Sequence, residues 1–372
     1  MALHGAGCDY NQVERLQENV RMIRAIPLLV LGSMIIATVG CTPDHLMSTF
    51  DPVGPVAAEQ KKVWDYVFWA MAFVFVTLLP VLVYMCIKFK RKDGDPIPVQ
   101  THGNRNLEIL WTILPILVLA VAAVPTLNVL KYVLEPPANS MQVNVTGHQW
   151  WWEFEYPELG VRTANELVIP VGQPVQFNLQ SKDVIHSFWV PKLGGKMDAI
   201  PTRTNVMWYQ ADEASPAEGL YGQCMEFCGT SHANMKLRVH AVASDEFDAW
   251  VQEQKEPGPS ADELSELAAQ GKDHFENLDF TATYTDGTVS QQRCAYCHTV
   301  EGLGISGART GPNLTHLASR VTLLSATFDN NTENLTSWLD NPVAMKPGSR
   351  MPNPILTDEQ TAALVEYLQS LK

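Results

Sequence analysis

The chain has 372 residues, room for two or three domains, with a formal charge of −14 and seven cysteines. The acidic balance disfavours a nucleic-acid binder, which presents a basic face. Nothing in it reads as a Gly-rich phosphate loop or a Ser/His/Asp hydrolase motif.

Arg15, Arg21 and Arg24 precede an apolar stretch, Ile26 to Val39, too short for a comfortable membrane span. Residues 1–40 therefore read as a secretory signal. Its end, Gly40-Cys41, resembles a bacterial lipoprotein signal, cleaved before a Cys41 that would carry lipid, although Thr38 stands where such signals usually have leucine. An uncleaved anchor is the alternative. Residues 41–135 read as a transmembrane hairpin, with spans at about 64–87 and 109–130. Lys88, Lys90, Arg91 and Lys92 lie between the spans, which puts that connection in the cytoplasm and both flanks outside. A helical hairpin buried in a soluble protein is the alternative.

From Met141 the texture changes to short β-rich runs ("MQVNVTG", "ELVIPVG", "PVQFNLQ", "RTNVMWYQ", "MKLRVHAVA") split by Gly, Pro, Asn and Asp. Several short strands at this spacing predict a β-sandwich or barrel over 136–256. Ser244 is expected to N-cap a short helix, with Asp245 and Glu246 in its first turn. Residues 257–263 read as a linker, and 264–372 turn helical. Leu264, Leu267, Ala268, Gly271 and Phe275 share one helix face, and Thr357 to Gln360 is a capping box opening a last helix. A small hairpin is expected around Asp286-Gly287.

Two cysteine clusters carry chemistry. In "YGQCMEFCGTSHANM", Cys224, Cys228, His232 and Met235 fall within twelve positions. With a distant His186, tetrahedral zinc is one reading. The thioether of Met235 is a soft ligand typical of copper, and two thiolates are one too many for a single blue copper but can bridge two copper ions. In "CAYCH", Cys294, Cys297 and His298 fit the haem-attachment signature, two thiols for the vinyl groups and an imidazole for the iron. Met351, between Pro and Gly residues, is the expected second axial ligand, with Met345 the runner-up. A thioredoxin-like pair would need no adjacent histidine, and a zinc site would need further ligands. His316 is the one histidine close by, and a solvated role is expected of it. "TGPNL", Thr310 to Leu314, resembles the segment that supports the haem-side histidine in small cytochromes c.

"C-x-E-x-C-x-x-x-H-x-x-M", with the upstream "HSFWVPKLG" and "GHQWWWEFEY" and the membrane hairpin, resembles subunit II of haem–copper cytochrome c oxidases, in the form fused to a cytochrome c. The resemblance covers nearly the whole mature chain. It implies a cupredoxin-like domain at 136–256 and an all-α class I cytochrome c domain at 264–372. It implies a binuclear CuA centre held by His186, Cys224, Cys228, His232 and Met235, with the backbone carbonyl of Glu226. The Glu226 carboxylate is expected to face a magnesium ion shared with subunit I, and Met225 to serve packing.

The resemblance also implies partners: subunit I with haem a and CuB, subunit III, and an external cytochrome or similar donor. It places the copper and cytochrome domains on the outer face of a bacterial cytoplasmic membrane. Trp150 of the Trp150-Trp151-Trp152 run becomes the electron-entry contact, against a plain core or interfacial role. His148 is expected to orient structure by hydrogen bonding. Glu108, just before the second span, becomes the mouth of a proton path, against a helix-capping carboxylate. Asp183, Asp198, Glu153, Glu155 and Glu158 form a docking surface or are simply solvated. From Ser260 on there are seven Lys/Arg and fourteen Asp/Glu, so two acidic domains are expected to meet through the linker's effective concentration rather than through complementary charge. A membrane-anchored relay or copper-delivery protein without an oxidase partner is the alternative function.

Overall fold

The computed structural model describes residues 45–100, 102–301 and 310–372. The signal at 1–40 and Cys41 lie outside them. Helix α1, Pro55–Lys88, opens on Pro55 at its first turn, where the missing N–H costs nothing. Helix α2, Arg105–Leu134, is capped by Asn104, whose side chain accepts from the Asn106 and Leu107 N–H groups. At 1.5 Å per residue they are about 51 and 45 Å long, well beyond the ~30 Å of a hydrocarbon core, and contain both predicted spans. Their large apolar side chains face outward, among them Trp69, Phe73, Val121 and Leu127. Both are long and apolar enough to cross a membrane. The ends seat the next domain: Val56 and Ala57 of α1 are buried, and the Trp208 indole donates to the Tyr132 carbonyl at 3.2 Å.

Ten strands follow: β1 Met141–His148, β2 Trp151–Tyr156, β3 Val161–Ala164, β4 Glu166–Pro170, β5 Val175–Ser181, β6 His186–Trp189, β7 Met197–Ala199, β8 Asn205–Tyr209, β9 Leu220–Cys224 and β10 Lys236–Val242. They form two five-stranded sheets, β3-β2-β1-β5-β8 and β4-β10-β9-β6-β7. Alternation along β1 sends Met141, Val143 and Val145 inward. The core is aromatic, with Trp152, Phe154, Phe177, Phe188 and Tyr209 almost wholly buried. Helix α3, Ser244–Glu253, closes one side with Phe247 and Val251. Ser244 is its first helical residue and Ala243 its cap, so the predicted cap is shifted by one position. The Glu246 carboxylate accepts from the Ala243 N–H.

The third part opens with α4, Glu266–Asn277, capped by Ser265. Strands β11, Phe280–Thr283, and β12, Val289–Gln292, form the expected hairpin. After them come α5 Cys294–Cys297, β13 Thr322–Leu323, β14 Phe328–Asp329, α6 Thr332–Asp340, α7 Pro342–Met345, β15 Asn353–Pro354 and α8 Asp358–Ser370. The part is helical around its core but not all-α. β15 joins the β11–β12 hairpin in a three-stranded sheet, and β13 pairs with β14. The sequence between α4 and Cys294 is long enough to build that sheet beside the helices. The capping box forms at Thr357 and Gln360. Ala268, Gly271 and Phe275 are buried in α4, whereas Leu267 is 42% exposed and Leu264 precedes the helix.

Gly271 is where α4 crosses α8. A Cβ there would lie 1.9 Å from the Ala363 carbonyl oxygen, a backbone atom that cannot swing aside. Gly271→Ala is therefore expected to force the helices apart and to cost about 3 kcal/mol, at the high end for overpacking. Thermal unfolding of this part should show a fall in Tm of roughly 10 °C or more.

Residues Leu324, Ser325 and Ala326, between β13 and β14, have φ of 53°, 58° and 56°. This left-handed conformation costs a non-glycine residue about 1–2 kcal/mol, so three in succession persist only where surrounding contacts hold them.

Candidate metal and cofactor sites

Strand pairing builds the first site. Phe188 of β6 pairs with Cys224 at the end of β9, which brings His186 beside the cysteine loop. His232 opens a short 3-10 turn, and Met235 directly precedes β10. The Cys224 and Cys228 Sγ atoms are 3.8 Å apart, too far for a disulfide. The His186 Nδ1 lies 3.9 Å from Cys224 Sγ, and His232 Nδ1 lies 3.6 Å from Cys228 Sγ. The Met235 Sδ is 3.9 Å from Cys228 Sγ, and the Glu226 carbonyl oxygen is 3.3 Å from Cys224 Sγ. The other four predicted ligand groups converge on the buried sulfur pair of Cys224 and Cys228.

His186 Nε2 is fixed by Asp183 Oδ1 at 2.8 Å, which turns Nδ1 toward the sulfurs. Burial would lower the His186 pKa, but Asp183 and Cys224 hold it above its ordinary value. Burial would raise the Asp183 carboxyl, and the bonds from His186 and the Gln149 N–H hold it down to about 2. Asp183 thus brackets His186 from behind. Of the other acids named with it, Glu155 is paired with Arg162. The Cys228 hydrogen bond pushes Cys224 down to about 4, while Cys228 is pushed up, and metal ligation would need both as thiolates.

Two sulfurs, each with its own imidazole, suit a pair of soft metal ions better than a single tetrahedral zinc. His186, Cys224 and Cys228 have their donor atoms within 4.8 Å of one another, and His232 stands with Cys228 outside that triad. The Met225 sulfur is turned away, accepting from Gln223 at 3.1 Å. The Glu226 side chain is exposed beside the site. Glu108 sits exposed in the first turn of α2.

The second site is a cavity of about 630 Å³, within the range of cofactor pockets. Cys294, Cys297, His298 and Met351 line it, with apolar walls from Leu314, Leu335 and Leu364. Met345 is not among its lining residues. His298 Nδ1 donates to the Pro312 carbonyl at 2.9 Å, leaving Nε2 as the free donor atom. A thiol pair, an imidazole and a thioether around an apolar space of this size fit a covalent haem. His316, expected to be solvated, is buried, with Nδ1 bonded to the Lys372 carbonyl at 2.9 Å.

The three tryptophans divide three tasks. Trp152 fills the β-sandwich core. Trp151 stacks on His148 at 4.1 Å and 8°; His148 Nε2 has no hydrogen-bond partner and burial lowers its pKa to about 4, so that histidine acts by stacking. Trp150 turns to the cysteine loop, its Nε1 donating to the Cys228 carbonyl at 3.0 Å. Trp150 also lines the second cavity, with His148, Gln149 and Trp151. One residue therefore touches both sites.

The two acidic domains meet through specific polar contacts that the net charge did not reveal. Arg350 bonds to the Gln149 side chain. The Glu166 carboxylate accepts from the N–H groups of Val321 and Thr322 at 3.1 and 2.7 Å, and from the Thr322 hydroxyl. Lys346, which burial pushes down to about 7, donates to the Trp150 carbonyl at 2.6 Å. Net charge averages over a whole domain, whereas docking is decided by a few local groups. The linker is itself tied down, with Gly258 N–H donating to the Glu301 carbonyl at 3.1 Å.

Three family models match: the transmembrane domain of cytochrome c oxidase subunit II over residues 42–129, the periplasmic domain of that subunit over 159–242, and cytochrome c over 268–372. The cytochrome c oxidase subunit 2 of Alkalihalophilus pseudofirmus is 36% identical over 361 residues, covering 92% of this chain and 96% of that protein. That of Bacillus subtilis is 35% identical over 374 residues, covering 95% and 99%. Among solved structures, the periplasmic domain of subunit II of cytochrome oxidase of Bradyrhizobium japonicum is 33% identical, covering 32% of this chain and 97% of that one, with a TM-score of 0.31.

Proposed function

The chain belongs to the cytochrome c oxidase subunit II family, in the form that carries a C-terminal cytochrome c domain, and on that premise we propose a residue-level path for the electrons it admits to the oxidase. His186, Cys224, Cys228, His232, Met235 and the Glu226 carbonyl would hold the CuA centre. Cys294 and Cys297 would attach haem c, and His298 and Met351 would ligate its iron. When bound, these groups each take up and release single electrons. The chain's own residues fix where they sit.

The observation that carries the path is Trp150, which bonds the Cys228 carbonyl at 3.0 Å and lines the cavity bounded by His298 and Met351. Trp150 is the conduit between the two sites, and the external donor delivers to the haem. Trp150 is only 9% exposed, which supports this order over direct entry at the tryptophan. The exposed Glu226 carboxylate faces the border with subunit I, where it helps hold magnesium. Glu108 stands at the mouth of a proton path in subunit I. The basic cluster after α1 supports a cytoplasmic turn, which puts the copper and cytochrome domains on the outer face of the bacterial membrane beside subunits I and III. Reduction of oxygen takes place in subunit I.

Metal analysis with EPR and visible spectra of the purified oxidase tests the assignment. The expected result is a mixed-valence copper pair and one low-spin haem c assigned to this chain. Zinc in place of copper would overturn it.

A further inference from the structure

The cytochrome domain carries a set of contacts whose partners lie in the other domain. At the base of the β13–β14 hairpin, Thr322 and Val321 satisfy Glu166 of β4, a carboxylate only 7% exposed. At the tip, the Ser325 hydroxyl donates to the Trp150 carbonyl at 2.7 Å. Lys346, 6% exposed, donates to that same carbonyl and to Ser325 Oγ at 2.8 Å. Between Lys346 and Met351 the backbone passes Gly348, at φ +81°, where a Cβ would stand 2.8 Å from Thr230 Cβ and 3.4 Å from the Trp150 ring. The strap bearing Met351 thus lies flush against the cysteine loop.

Lys346 and Ser325 bond to each other, but the carbonyl they share belongs to the other domain. A buried ammonium is costly unless hydrogen-bonded, and one of the two acceptors of Lys346 belongs to the other domain. The left-handed run at Leu324, Ser325 and Ala326 is strained, and its middle residue is the one that reaches Trp150. We propose that the β13–β14 hairpin and Lys346 form a latch that holds the cytochrome domain docked on Trp150, with Lys346 and Thr322 as positioning residues for haem-to-copper transfer. The inference rests on the electron path assigned above. It adds that the path is permanently assembled by side-chain contacts, so transfer within the chain does not wait for a tethered domain to find its partner.

The test uses the intact oxidase with Lys346→Met, Lys346→Arg and Thr322→Val. Lys346→Met keeps a long apolar stem and removes the donor, so folding is preserved. Visible and EPR spectra first establish that both centres are loaded. Electron transfer from photoreduced haem c to copper is then timed at several solvent viscosities. With its two hydrogen bonds lost, Lys346→Met should slow transfer about tenfold or more and make the rate fall with viscosity. Thr322→Val should give a smaller change of the same kind, and Lys346→Arg should recover most of the rate. Rates in Lys346→Met and Thr322→Val within about twofold of the parent's, at all viscosities, would overturn the latch. If the parent itself shows no transfer between its loaded centres, the electron path fails and not the latch alone.

Discussion

Cys228→Ser is expected to abolish the copper centre while leaving the β-sandwich folded. Cys228 is the hub of the loop: Cys224 Sγ, His232 Nδ1 and Met235 Sδ all lie within 3.9 Å of its sulfur. A serine hydroxyl is a hard donor on a shorter bond, and it cannot bridge two soft ions as a thiolate does. Even outer-shell changes cost metal sites 10- to 100-fold, so removing a bridging ligand should take turnover to about 1% of the parent's or lower. The backbone groups are untouched. The Cys228 carbonyl keeps its bonds from Trp150 and Gln149, and no disulfide is lost. Circular dichroism and the Tm of the variant should therefore stay near those of the copper-free parent, while copper content and the EPR signal collapse. An intact signal at normal copper content would remove Cys228 from the centre.

The same loop shows why some of this chemistry was legible in the sequence and some was not. Cys224, Cys228, His232 and Met235 are local, spaced so that one turn and one strand edge gather them. His186 joins only through the β6–β9 pairing, and spacing alone left zinc open; the family resemblance supplied the ligand set. Alternating burial was readable along β1, and the hairpin at Asp286-Gly287 announced itself by its turn chemistry. Lys346, Ser325, Thr322 and Glu166 gave no signal. Each looks like an ordinary polar residue until two domains are laid together, and net charge pointed the other way. His316 misled for a related reason, since its partner is the carbonyl of Lys372, far along the chain. Asp183 passed for a surface acid although His186 stands only three residues further on, and its second bond, from the Gln149 N–H, is tertiary.

Met351→Leu should separate the two methionines proposed for the haem. Met351 lines the cavity with Cys294, Cys297 and His298, whereas Met345 lies at the end of α7 and does not. Leucine for methionine conserves volume and costs under about 1.5 kcal/mol, so both variants should fold and keep the haem bonded to the cysteines. What changes at residue 351 is electronic. A thioether opposite histidine raises the reduction potential of haem, and its loss lowers it. Each fall of about 59 mV makes one-electron transfer onward tenfold more favourable at equilibrium and reduction by the external donor tenfold less so. In Met351→Leu the haem should become the hard station to fill, and steady-state turnover with the natural donor should drop by about tenfold or more, with the haem resting oxidised. A strong artificial reductant should restore its reduction, which a folding defect would not allow. Met345→Leu should leave the potential and the turnover unchanged. The opposite pattern, a lowered potential in Met345→Leu alone, would transfer the axial role to Met345 and detach the ligand strap from the stretch that packs against Thr230 and Trp150.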